Sequence, residues 1–129
     1  MEDDLVLAEL LLDSLEAVGH SVTCKATGSE ALAHYKEHGA DLLVADVIVK
    51  VNGDIVPDGG VILTHRAKNA AAESGKKLPV IAISGAGGGH SGVDVLASVK
   101  GVGADATLEK PFTPKELLAE IDAQLAKTD

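Results

Sequence analysis

Two hydrophobic rhythms alternate along the chain. From Asp4 to Val18, Leu5, Ala8, Leu11, Leu12, Leu15 and Val18 recur at helical spacing, Leu7 and Leu10 widen the apolar face, and Gly19 supplies a stop. His20–Ala26 reads as a strand. Thr27-Gly28-Ser29-Glu30 then has capping-box spacing and opens a helix that ends at Gly39. The run Asp41-Leu42-Leu43-Val44-Ala45-Asp46-Val47-Ile48-Val49 is almost continuously apolar, the pattern of a strand covered on both faces. Asn52-Gly53, lying between Val47–Val51 and Asp54–Val56, is the dipeptide best suited to a two-residue hairpin and predicts a short β-ribbon.

Pro57-Asp58-Gly59-Gly60 ends that ribbon, and Val61 to Ser74 reads as a helix stopped by Gly75. Leu78 to Ser84 is a further buried strand that runs into Gly85-Ala86-Gly87-Gly88-Gly89. Ser91-Gly92-Val93-Asp94 caps a shorter helix reaching Lys100, and Ala104 to Glu109 is a last, weaker strand. Thr113-Pro114-Lys115-Glu116 combines a Thr cap, Pro at the first helical position and Glu three residues after the cap, with Leu117, Leu118, Ile121 and Leu125 as the buried face that follows. Strands alternating with helices predict one α/β domain with a parallel sheet covered on both faces.

Composition narrows the picture. With 46% hydrophobic but only 2% aromatic residues, the core of these 129 residues is built from Ala, Val, Leu and Ile. A formal net charge of −9 argues against nucleic acid or an anionic membrane as the main partner, and fits a divalent cation or a basic protein surface better. The single cysteine, Cys24, excludes an internal disulfide and is expected to be a packed strand residue. The chain shows neither a secretory signal nor an apolar run that could cross a bilayer, so a cytoplasmic location is the expectation.

The candidate chemistry lies where strands end. Asp46, Ser84 and Lys110 (followed by Pro111) close three predicted strands, and Glu2-Asp3-Asp4 stands before the first helix. A carboxylate at the carboxyl edge of a sheet is where open α/β folds put their chemistry, and burying it calls for a cation or donors nearby. Crowded carboxylates repel one another and favour a metal ion, and Mg²⁺ takes oxygen ligands while bridging carboxylate to phosphate. Each residue also has a plain structural reading: helix-start acids, a satisfied structural Asp, a strand-end serine, a surface lysine. The Gly-rich segment after Ser84 lacks a Gly-Lys-Ser/Thr sequence and reads as a mobile loop rather than a phosphate cradle. The five histidines are scattered without ligand spacing and read as solvated or packed.

Taken in order, four features resemble the CheY-like receiver domain of bacterial two-component response regulators over nearly the whole chain. They are the acidic pair before the first helix, the central-strand Asp46, the Pro-Val-Ile-Ala-Ile-Ser strand, and Gly-Ala-Asp-Ala-Thr-Leu-Glu-Lys-Pro-Phe. The resemblance implies a flavodoxin-like parallel sheet with helices on both faces, forming a single receiver domain over residues 1–129. It implies that Asp46 accepts a phosphoryl group from a sensor histidine kinase or a histidine phosphotransfer protein. Glu2, Asp3, Asp46 and the backbone carbonyl of Ile48 would hold Mg²⁺, Ser84 would hydrogen-bond the transferred group, and Lys110 would reach one of its oxygens. Such a chain is not a conventional enzyme, although members of the family catalyse their own phosphoryl uptake and hydrolysis. It signals to a downstream protein by changing conformation.

The sequence also departs from that pattern. Only Met1 precedes Glu2, whereas receivers carry an apolar strand there, so the first, central strand is expected to be missing and the chain truncated before Glu2. His20–Ala26 and Asp41–Asp46 are then expected to pair directly, or the chain to associate with another, for example as a homodimer. Thr107 stands where the family has an aromatic switch residue, and the segment Val47–Pro57 is longer than the usual loop. Ile48 and Ala86 lie two places beyond Asp46 and Ser84, where family members often carry side chains that steer hydrolytic water. The alternative function is a degenerate receiver that binds partners without being phosphorylated. A flavodoxin-like binder of nucleotide or flavin trails for want of a cofactor fingerprint.

Overall fold

The computed structural model describes residues 5–25, 27–46, 49–51, 54–56, 60–85, 103–110 and 112–128. Helix α1 spans Leu5–Ala17 and α2 spans Gly28–His38. Thr27 caps α2: its hydroxyl accepts the Glu30 amide at 3.2 Å and donates to the Glu30 carboxylate at 3.1 Å. At the other end Gly39 has φ 77°, a left-handed conformation that suits glycine, and its amide donates to the Tyr35 carbonyl at 2.7 Å. Strand β1 (Leu43–Asp46) follows, then the short strands β2 (Val49–Val51) and β3 (Asp54–Val56). Helix α3 (Gly60–Glu73), strands β4 (Val80–Gly85) and β5 (Ala106–Lys110), and helix α4 (Pro114–Thr128) complete the order. The second capping box is also formed, with the Thr113 hydroxyl accepting the Glu116 amide at 3.1 Å.

Among the described residues β1, β4 and β5 form a parallel sheet in the order β1-β4-β5. β2 and β3 pair antiparallel as a separate ribbon, Val49 with Val56 and Val51 with Asp54, as the Asn52-Gly53 signal predicts. Side-chain alternation along the strands divides the core into two layers. Ala45 and Val80 face α2 and α3, where they pack with Ala31, Leu63, Ala67, Ala71 and Leu78. Ile81 faces the other way, into a cluster with Leu11 and Leu15 of α1 and Leu117 and Ile121 of α4. The helices thus cover both faces, and the core is aliphatic, as the near absence of aromatic residues requires.

Three sequence expectations need correction. Described residues 20–25 form no strand and do not pair with β1. An extended segment becomes a strand only when it joins a ladder, and the ladder of β1 among the described residues is with β4; residues 20–25 contribute Val22 to the α1–α4 cluster. Cys24, expected to be packed, is exposed. Leu10 and Val18, assigned to the apolar face of the first helix, are 51% and 59% exposed; among the described side chains of α1, Leu11 and Leu15 are the ones buried against the sheet. The predicted helix from Ser91 to Lys100, residues 86–89 of the Gly-rich loop, and Ala26 at the end of the expected second strand lie outside the described residues. No helix among the described residues is long and apolar enough to cross a membrane.

Candidate functional site

β1 stops at Asp46, and that residue is 2% exposed in spite of its carboxylate. Ala45, immediately before it, is fully buried against α3. The end of β1 is therefore anchored from both the sheet and the helix layer. The parallel register sets Asp46 beside Ile83 of β4, and Ile83 beside Leu108 of β5. Ser84 follows Ile83, and Lys110 pairs with Gly85. The three polar strand ends singled out from sequence thus share the carboxyl edge of one sheet, on adjacent strands. With ~4.8 Å between strands and ~3.3 Å per residue, the backbone of Ser84 stands ~6 Å from that of Asp46, and the backbone of Lys110 ~12 Å away.

The register that delivers Lys110 to this edge is fixed at the opposite end of the strands. The Asp105 carboxylate accepts the Val80 amide at 2.8 Å, and the Asp105 amide donates to the Val80 carbonyl at 2.9 Å. Lys68 of α3 donates to the same carboxylate oxygen at 2.6 Å, which ties α3 to the start of β5. Asp105 belongs to the Gly-Ala-Asp-Ala-Thr run, but the sequence alone assigned it no role. Its partner lies 25 residues earlier in the chain, so no local pattern marks the clamp.

The other predicted site residues are not brought together by anything described. Glu2, Asp3 and Ile48 lie outside the described residues. Among the described residues no group of three His, Cys, Asp or Glu side chains stands close enough to hold a metal ion. The donor set assigned from sequence is nevertheless all oxygen, two carboxylates and a carbonyl joining Asp46, and that chemistry fits Mg²⁺ rather than zinc or copper. Thr107, at the position of the aromatic switch, is half-buried and in register with Ala82. The β2–β3 ribbon begins three residues after Asp46 in the sequence.

Residues 1–122 match the response regulator receiver domain family. The DNA-binding response regulator MtrA of Mycobacterium tuberculosis (strain ATCC 25618 / H37Rv) is 30% identical over 130 residues, which take in all of this chain and 50% of that protein. A protein of the alga Cyanophora paradoxa named as a transcriptional regulator, ycf27, is also 30% identical and is covered over 48% of its length. The chain therefore spans about half the length of the curated relatives it matches. Among solved structures, a protein of Chloroflexus aurantiacus J-10-fl described as a response regulator superposes with a TM-score of 0.79 at 27% identity, over 98% of this chain and 93% of that one. A CheY-like receiver domain protein from Methanospirillum hungatei JF-1 has the same TM-score, 0.79, at 24% identity over 98% of this chain and 90% of that one, and speaks for the fold alone. Both agree with the flavodoxin-like sheet that the family resemblance implies. A match over almost the whole chain, carried on a sheet whose strand ends bring Asp46, Ser84 and Lys110 to one edge, makes this chain a member of the response regulator receiver domain family of two-component signalling.

Proposed function

We propose that the chain is a phosphorylatable receiver: Asp46 attacks a phosphohistidine of a sensor histidine kinase or histidine phosphotransfer protein and takes over its phosphoryl group. The observation that carries this reading is the near-complete burial of Asp46, 2% exposed, at the carboxyl edge where β1 gives out beside β4. A carboxylate oxygen forms the new P–O bond as the P–N bond to imidazole breaks. The electron pair of that bond leaves with the imidazole, which picks up a proton from its surroundings. Phosphoryl transfer asks a protein mainly for positioning and for offsetting the charge that spreads over the phosphoryl oxygens. Lys110 is assigned the cationic contact and Ser84 the hydrogen bond, a division that the register of β5 and β4 supports.

Glu2, Asp3, Asp46 and the Ile48 carbonyl would hold Mg²⁺. When bound, that ion would offset negative charge on the phosphoryl oxygens. The added charge on Asp46, about −1 or more, then biases neighbouring loops and alters the surface offered to a downstream protein. The absence of an aromatic residue at Thr107 makes the relay different from a coupled serine–aromatic switch. A cytoplasmic site of action follows from a kinase partner that uses ATP.

The test is uptake from a small-molecule donor. The chain is incubated with acetyl phosphate and Mg²⁺ and its intact mass is measured, beside Asp46→Asn and beside a sample containing chelator. One phosphoryl group is expected on the wild type, with none on the variant and none in chelator. A wild type that stays unmodified while retaining its fold by circular dichroism refutes the reading and leaves the degenerate, partner-binding receiver.

A further inference from the structure

Two of the five histidines meet in the fold. His34 and His38 stand four residues apart on α2, a separation that puts side chains one above the other on the same face of a helix. Their ring centroids are 4.6 Å apart and the planes are inclined by 37°. The His38 side chain is 57% exposed, so the pair opens to solvent rather than packing into either core layer. His38 also sits in the last turn of α2, one turn beyond His34, where carbonyls without helical partners and the negative end of the helix dipole favour a cation. Glu37 adds a carboxylate oxygen 3.9 Å from His38 Nε2.

We propose that His34 and His38 form a bidentate site for a divalent transition-metal ion of the zinc class, separate from the phosphoryl site. Neutral imidazole suits Zn²⁺, Cu²⁺ and Ni²⁺, whereas Mg²⁺ prefers oxygen and is not drawn to this pair. A four-residue helical spacing with the rings in contact lets each imidazole direct one nitrogen at a common ion ~2.0–2.1 Å away. Glu37 contributes negative charge from the adjacent position. The run His34-Tyr35-Lys36-Glu37-His38 has the spacing of one class of zinc hydrolase. That chemistry needs three protein ligands, and no group of three is found among the described residues. The site is therefore an exchangeable, non-catalytic one whose remaining positions are filled by water. It stands independently of whether Asp46 is phosphorylated.

Calorimetric titration with ZnCl₂ tests the proposal, carried out on the full chain in excess MgCl₂ so that any oxygen-ligand site is already filled. Wild type, His34→Ala and His38→Ala are compared; alanine is the best helix former, and both variants are checked for an unchanged melting temperature in chelator. The wild type is expected to take up one zinc ion per chain and to gain thermal stability from it, since the ion binds the folded form. Each substitution is expected to weaken uptake about tenfold or more, because either one destroys the chelate. Failure of the wild type to bind, or zinc uptake equally strong in both variants, would overturn the assignment. So would loss in only one of the two, which would mean a single-histidine contact.

Discussion

Asp105→Ala removes the clamp at the amino end of β4 and β5, and its cost can be worked from the contacts it breaks. The first is the 2.8 Å bond from the Val80 amide. Val80 itself is fully buried, and a buried amide left unpaired costs about 1–3 kcal/mol. The second is the 2.6 Å ion pair with Lys68, whose partners keep 25% and 36% of their side-chain surface in solvent. Screening at that exposure limits the pair to about 0.5–1 kcal/mol. The sum is about 1.5–4 kcal/mol, which for a chain of this size corresponds to a fall in melting temperature of roughly 6–16 °C.

Urea denaturation followed by circular dichroism measures the loss, with two controls that separate its parts. Lys68→Met keeps the stem and the Val80 bond and should cost about 1 kcal/mol or less. Asp105→Asn keeps an oxygen for the amide but not the charge, and should fall between the two. If Asp105→Ala is no worse than Lys68→Met, the carboxylate is not what holds Val80 and the clamp reading is wrong. Because the same contact sets the β4–β5 register, Asp105→Ala is also expected to slow phosphorylation of Asp46 more than Lys68→Met does.

Three further outcomes are expected. Thr64 on α3 is fully buried and its hydroxyl has no hydrogen-bond partner among the described residues, so Thr64→Val should raise stability by about 1–2 kcal/mol in the same urea assay; a loss would mean that the hydroxyl is satisfied in solution. Leu117, fully buried where α4 meets the sheet, should cost about 2–5 kcal/mol when cut back to alanine, and a melt within 1 °C of wild type would contradict its place in the core. Ile48 and Ala86 offer no polar side chain to guide water onto an aspartyl phosphate, so the phosphorylated chain should lose its label slowly, and rapid decay in purified protein would count against that expectation.

The elements that could be read from sequence are those whose signal is local. Thr27 and Thr113, each followed by Glu three residues on, marked helix starts that the fold forms as written. The apolar runs ending at Asp46 and Ser84 marked strands buried on both faces, because a parallel sheet between helix layers leaves no polar side to alternate with. The miss at His20–Lys25 has a different origin. Apolar–polar alternation shows that a segment can lie extended with one side inward, but pairing is decided by a neighbouring strand, and that information is not local. The His34–His38 contact rests on a four-residue spacing along one helix, a pairing that the expectation of scattered histidines without ligand spacing leaves out. Asp105 was visible as part of a motif, yet its task depends on Val80, which lies 25 residues earlier in the chain.

Alanine supplies most of the layer between the sheet and helices α2 and α3: Ala31, Ala45, Ala67 and Ala71. Side chains this short bring backbones together and leave little rotational freedom to absorb a larger neighbour. A single added pair of methyl groups there must move a whole helix, at about 1–3 kcal/mol. The opposite layer, made of Leu11, Leu15, Ile81, Leu117 and Ile121 with Phe112 and Leu125 at its margin, can reshuffle rotamers instead. The molecule is thus stiff on one flank and compliant on the other, so variation in size between homologous sequences should concentrate beneath α1 and α4.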